Sequence, residues 1–184
     1  MDSSQGFPPG WHAARATWKR DGESLTALRL DAEKRLADMG IRQWYDTEGG
    51  LAVIRAYTDA GDMYIIRDGP RSIGCFALSE RYDEDWWGDD PDRDNCLYLG
   101  KAITASYMKN RGVGRFTVDY ATRVTRAAGL RAVRIDCWRE RPGLQAAWHR
   151  LGFSYLRTIL ALDKRPGYEG KLRESGDLME LRVD

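Results

Sequence analysis

Histidine and cysteine are scarce in this chain. Its 184 residues include two histidines, His12 and His149, and three cysteines, Cys75, Cys96 and Cys137. The cysteines are odd in number, far apart and form no CxxC pair, so neither a disulfide framework nor a zinc site is indicated. The histidines lack metal-ligand spacing. Zinc hydrolases and most histidine-based nucleophilic enzymes are thereby set aside, and no metal is expected. Net charge is nearly missing too: 29 Lys plus Arg stand against 28 Asp plus Glu, a formal +1, whereas nucleic-acid binding normally leaves a basic excess. No apolar run approaches the ~20 residues that span a bilayer. The first ten residues, MDSSQGFPPG, lack the basic and apolar regions of a signal peptide. The expectation is a cytoplasmic protein with neither a membrane nor a nucleic-acid partner.

With 42% hydrophobic residues the chain can build a core, and its length favours one domain, residues 1–184, with 1–13 as a flexible leader. Internal repeats are absent. A first strand is expected near Ala14 to Trp18, after which Asp21 or Ser24 caps a helix. Leu25, Leu28, Ala32, Leu36 and Met39 recur at helical spacing, and Gly40 ends that helix. A second helix is expected over Leu51 to Asp59. Met63 to Arg67 and Ser72 to Leu78 flank Asp68-Gly69-Pro70, which is turn chemistry, and read as a hairpin. A polar loop from Arg81 to Asn95 leads into strand four, about Cys96 to Thr104. A helix through Phe116, Tyr120 and Val124 stops at Gly129, and strand five covers Ala132 to Cys137. A short helix from Gly143 to Leu151 and strands at Ser154 to Leu162 and Leu178 to Val183 complete the chain. The fold class is α/β (α+β), a single mixed, mostly antiparallel sheet of about seven strands with helices on both faces.

Between strand four and the following helix stands Lys109-Asn110-Arg111-Gly112-Val113-Gly114. A strand that runs through a glycine turn into a helix presents free amides and the positive end of the helix dipole, which suits phosphate. Lys109, Arg111 and Arg115 add cations. The segment is not a Walker loop, since Gly-Lys-Ser/Thr is missing, and not a dinucleotide fingerprint, since Thr117 replaces the third glycine. It resembles the Q/R-x-x-G-x-G/A pyrophosphate loop of the GNAT superfamily of acyl-CoA-dependent N-acetyltransferases. Arg141-Pro142, Trp148 and Leu151-Gly152-Phe153 resemble that family's segment after strand five.

The resemblance implies a GNAT-like sheet splayed between strands four and five. It also implies acetyl-CoA as acyl donor and an amine acceptor, and a homodimer is compatible with it. Ala102, Ile103 and Thr104 would pair with the pantetheine arm, and Lys109, Asn110, Arg111, Gly112, Val113, Gly114 and Arg115 would hold the pyrophosphate. Arg141 and Trp148 would lie at the cofactor as well. The chain departs from the family pattern at three places. Trp148 stands where a tyrosine often protonates the leaving thiolate, Arg141 replaces an asparagine, and strand four offers no carboxylate. The base is then Tyr98, an acid of the preceding loop, a water chain, or Asp136 on strand five.

The stretch Asp83 to Asp94, DEDWWGDDPDRD, holds seven acids and one arginine. In a GNAT fold it borders the acceptor side. There Asp85 would attract a cationic amine, with Trp86 or Trp87 stacked on it; the alternative is an exposed acidic loop with its tryptophans in the core. The expected activity is direct acetyl transfer to a small cationic metabolite or antibiotic-like amine. The alternatives are a protein or peptide acceptor, or a non-catalytic acyl-CoA-binding module.

Overall fold

The computed structural model describes residues 7–41, 46–164 and 168–183. In chain order the elements are β1 (Trp11–Arg15), α1 (Trp18–Asp38), α2 (Thr47–Asp59), β2 (Met63–Asp68), β3 (Arg71–Ser79), α3 (Glu84–Trp87), β4 (Cys96–Thr104), α4 (Val113–Ala127), β5 (Ala132–Trp138), α5 (Pro142–Arg150), β6 (Ser154–Thr158) and β7 (Ser175–Arg182). They include one seven-stranded sheet, ordered β1-β2-β3-β4-β5-β7-β6. β4 and β5 run parallel, whereas β1 with β2, β2 with β3, β5 with β7 and β6 with β7 are antiparallel. By its internal contacts the chain divides into two compact units, Met1–Leu78 with Lys101–Tyr120, and Ser79–Gly100 with Ala121–Asp184.

In the first unit the strand expected from Ala14 begins at Trp11, inside the stretch read as a leader. Trp11, His12 and Ala13 already pair with Asp68, Arg67 and Ile66, because the free edge of the β2–β3 hairpin satisfies their backbone groups. The first six residues of that leader lie outside the described residues. Trp18 belongs to α1 rather than to the first strand. Thr17 caps α1 without a side-chain bond, and Asp21, one turn in, accepts from the Thr17 amide at 2.8 Å instead. Leu25, Leu28 and Ala32 are buried as their spacing predicts, whereas Met39 at the helix end is 52% exposed. Asp46 starts α2 ahead of the expected Leu51 by accepting from the Gly49 amide at 2.9 Å. At Gly74 on β3 a Cβ would stand 2.7 Å from the Ile103 carbonyl and 3.0 Å from Val113, so only glycine lets the end of β4 and the start of α4 come this close.

The second unit has its own core of Trp86, Trp87, Cys96, Tyr98, Ala132 and Leu178, with Tyr82, Ile159 and Ala161 against it. Arg134 is buried within this unit. It donates to Glu180 at 2.9 Å, approaches Asp90 at 3.1 Å, and lies 4.7 Å over the Trp87 ring. β6 stops at Thr158 and not at Leu162, which makes only an isolated bridge with Leu172. β7 begins at Ser175, ahead of the expected Leu178.

Candidate active site

The turn into α4 is built by backbone conformation. Asn110 adopts φ 61° and Gly112 φ 92°, left-handed values that asparagine and glycine tolerate best. The Met108 and Lys109 amides fold back onto Ala105 and Ser106, the Arg111 amide donates to Met108, and Phe116 donates to the Gly112 carbonyl at 2.9 Å. The amides of Gly112, Val113, Gly114 and Arg115 have no carbonyl partner among the described residues, as expected for a helix N-terminus. Nothing lies within 4 Å of the point where a Cβ would stand on Gly112, so the turn is open to a ligand. Lys109 and Arg111 are exposed, and Arg115 pairs with Asp119 at 3.0 Å. An anion approaching this turn meets four free amides and up to three cations, an arrangement suited to a diphosphate.

β4 pairs with β5 only at Cys96, Leu97 and Tyr98, opposite Ala132, Val133 and Arg134. Beyond that point β5 continues pairing with β7 as far as Trp138. Lys101 then takes φ 51°, an unusual value for a side-chain-bearing residue inside a strand that marks a local break in its pleat. Nothing in the sequence signals it. Downstream of it Ile103 is buried, Ala102 and Thr104 are half-buried, and the Thr104 carbonyl accepts from Arg35 at 3.0 Å.

The three catalytic candidates differ in environment. Tyr98 is 9% exposed and its hydroxyl donates to the Arg93 carbonyl at 2.9 Å. Burial pushes its pKa up to about 12, so it keeps its proton at neutral pH and is unsuited to act as the base. Asp136 is exposed on β5 and contributes to the negative field felt by Arg173. Trp148, half-buried on α5, packs edge-on against Phe153 with centroids 5.4 Å apart. Arg141 caps α5 and lies 4.7 Å over Trp138. His149 donates from its Nδ1 to the Phe153 carbonyl at 2.9 Å.

The residues of the acidic loop expected to meet the acceptor are otherwise engaged. Trp86 and Trp87 are each 1% exposed and offer no free ring face, since the α3 turn sends both into the core of their unit. Asp85 is held by Lys164 at 2.5 Å and Arg173 at 3.2 Å, and Arg173 also grips Asp83 at 2.6 Å while lying 4.2 Å over Trp86. Asp90 and Asp92 are matched by Arg134 and Arg131. The chain's own cations therefore occupy the carboxylates read as an amine trap, and the exposed acids of the stretch are Glu84, Asp89 and Asp94. Arg173 lies more than seventy residues downstream in sequence, and no local pattern points to it. Among the described residues no group of three or more His, Cys, Asp or Glu is placed to hold a metal, and no helix is long and apolar enough to cross a membrane.

No protein-family model matches the sequence, and no curated protein matches it. Solved structures do match. An acetyltransferase of the GNAT family from Listeria monocytogenes is 17% identical with a TM-score of 0.72, over 94% of this chain and 94% of that one. A Salmonella typhimurium protein described as an acetyltransferase and solved with its cofactor acetyl-CoA is 16% identical, TM-score 0.60, over 95% of each chain. A chimeric spermidine N-acetyltransferase from Vibrio cholerae is 12% identical, TM-score 0.62, over 95% of this chain and 96% of that one. At these identities the similarity is one of fold.

Proposed function

We propose that this chain, whose fold is that of the GNAT acetyltransferases, is a single-domain N-acetyltransferase. It would move an acetyl group from acetyl-CoA to a primary amine of a small cationic molecule. The observation that carries the reading is the open turn at Gly112, with four unpartnered amides and with Lys109 and Arg111 exposed in the same segment. The match of whole-chain length to solved acetyltransferases supports one domain.

When bound, acetyl-CoA supplies an activated thioester whose carbonyl carbon is attacked by the amine as the carbon–sulfur bond breaks and CoA leaves as a thiol. Ala102, Ile103 and Thr104 would align the donor's arm through their backbone. The amides of Gly112 to Arg115 would hold its diphosphate. Direct attack is favoured because burial pushes the thiols of Cys75 and Cys137 up to about 12 and that of Cys96 up to about 11, which leaves no thiolate nucleophile. Asp136, the exposed carboxylate among the candidates, would take the amine's proton, while Trp148 packs near the thioester. A cationic acceptor is supported by the exposed Glu84, Asp89 and Asp94 and by a spermidine acetyltransferase of the same fold.

Acetyl-CoA should raise the melting temperature of the parent protein, and Gly112→Glu should abolish the rise. No shift of the parent at millimolar acetyl-CoA would overturn the donor assignment. Release of free thiol should be seen with small polyamines or aminoglycoside-type amines, and Asp136→Asn should lower kcat by about 100-fold. Turnover with peptides alone would move the acceptor to proteins, and binding without any thiol release would indicate a non-catalytic module.

A further inference from the structure

In the second half of α1 opposite charges recur at i, i+4 spacing, the separation at which they normally close on one another across a helix turn. Arg29 meets Glu33 at 2.5 Å and Lys34 meets Asp38 at 2.6 Å. Asp31 and Arg35 have the same spacing but form no ion pair with each other among the described residues. Both are half-buried, and each reaches off the helix. Asp31 accepts from the Ser106 amide at 2.7 Å, and Arg35 donates to the Thr104 carbonyl at 3.0 Å. Between them the Ala105 amide donates to the Ile73 carbonyl of β3 at 3.0 Å. Three successive residues at the end of β4 are thus held from outside, two of them by charged side chains one helix turn apart.

Past Thr104 the chain enters a single 3-10 turn, Ser106–Met108, and then the left-handed residues Asn110 and Gly112. The Ala105 and Ser106 carbonyls accept from the Met108 and Lys109 amides, and the Met108 carbonyl accepts from Arg111. The phosphate turn therefore hangs by successive hydrogen bonds from the residues that β3 and Asp31 anchor. Backbone of this kind persists only where its surroundings over-determine it, and charge-assisted hydrogen bonds are roughly twice as strong as neutral ones. Aspartate is also a poor residue for a helix interior, so the use of Asp31 lies outside α1. We propose that Asp31 and Arg35 are positioning residues of the donor site. They fix the end of β4 before any ligand arrives, so that binding a diphosphate at the turn need not also order it. This rests on the acetyl-CoA reading above and extends the site to a helix that contributes no residue to the turn itself.

Calorimetric titration with CoA and amide hydrogen exchange of the ligand-free protein test it together. Asp31→Ala and Arg35→Met should each weaken CoA about tenfold, the size of one charge-assisted hydrogen bond. Both should speed exchange at Met108, Lys109 and Arg111 while leaving α2 as protected as in the parent. Asp31→Asn keeps an acceptor and Arg35→Lys keeps a donor, so these two should recover most of the affinity. Lys34→Met, which opens the neighbouring surface pair, should change neither reading. Unchanged CoA affinity in Asp31→Ala and Arg35→Met would overturn the positioning role and leave the donor reading standing. Weakening that the conservative variants do not relieve, or faster exchange spread over α1 and α2, would also overturn it by marking a general role in stability. If the parent binds no CoA, the donor reading fails, and exchange at the turn then decides by itself whether the two side chains hold it.

Discussion

Asp21 has no exposed side-chain surface, and burial alone would raise its pKa. Hydrogen bonds from Arg20, Arg67 and the Thr17 amide outweigh that cost and hold it at about 2, below the usual 3.8. A carboxyl whose folded value is depressed stabilises the native state above its unfolded pKa, and that contribution is lost as pH falls from 3.8 towards 2. Replacing Asp21 by asparagine leaves Arg67 without its anion between α1 and β2, and should cost roughly 2–4 kcal/mol at neutral pH. Urea titrations at a series of pH values should show the parent losing this advantage over Asp21→Asn across the same acid range. Asp21 was legible as a residue that organises the start of α1. Its ionic partner Arg67 was not, because that residue is brought to it by the pairing of β1 with β2 and not by local sequence.

At the level of elements, the join of β3, β4 and α4 depends on a missing side chain. Gly74→Ala would press a Cβ to 2.7 Å from the Ile103 carbonyl, a backbone atom that cannot rotate away. The substitution should destabilise the protein by about 1–3 kcal/mol and lower the affinity for acetyl-CoA as well, because the same strain reaches the first residue of α4. Thermal melts and titrations on the one variant check both effects. The hairpin, β4, α4 and α5 were readable from apolar spacing and turn residues, since those signals are local. β6 was read too long because Leu160 and Leu162 look like strand residues, although they are 60% and 58% exposed and have no continuous ladder. The break at Lys101 was invisible, because lysine has no preference for left-handed backbone and only the surrounding strands impose it.

Across the whole molecule the thiols share one fate. Cys75, Cys96 and Cys137 are 1%, 1% and 2% exposed, and burial raises all three pKa values. A disulfide reagent should therefore titrate none of them in the native protein at neutral pH and all three after denaturation, and acetyl transfer should survive the reagent. Rapid native labelling together with loss of transfer would revive a covalent acyl-enzyme. The charge balance follows the same logic at a larger scale. A formal +1 conceals an acidic loop, and most of that loop is neutralised within its own unit by Arg131, Arg134, Lys164 and Arg173.

By itself the sequence determined the order of the strands and of the longer helices, though not the short α3 inside the stretch read as a loop, together with the phosphate turn and the scarcity of histidine and cysteine. All of these depend on neighbours within a few residues, where periodicity, glycine placement and composition act directly. Tertiary structure alone decided that Trp86 and Trp87 are core, that Arg173 and Lys164 occupy the acids expected to attract an amine, and that Asp31 and Arg35 of α1 meet the backbone at the end of β4. Those outcomes depend on residues far apart in the chain, and which of them meet is set by the pairing of strands and the packing of helices.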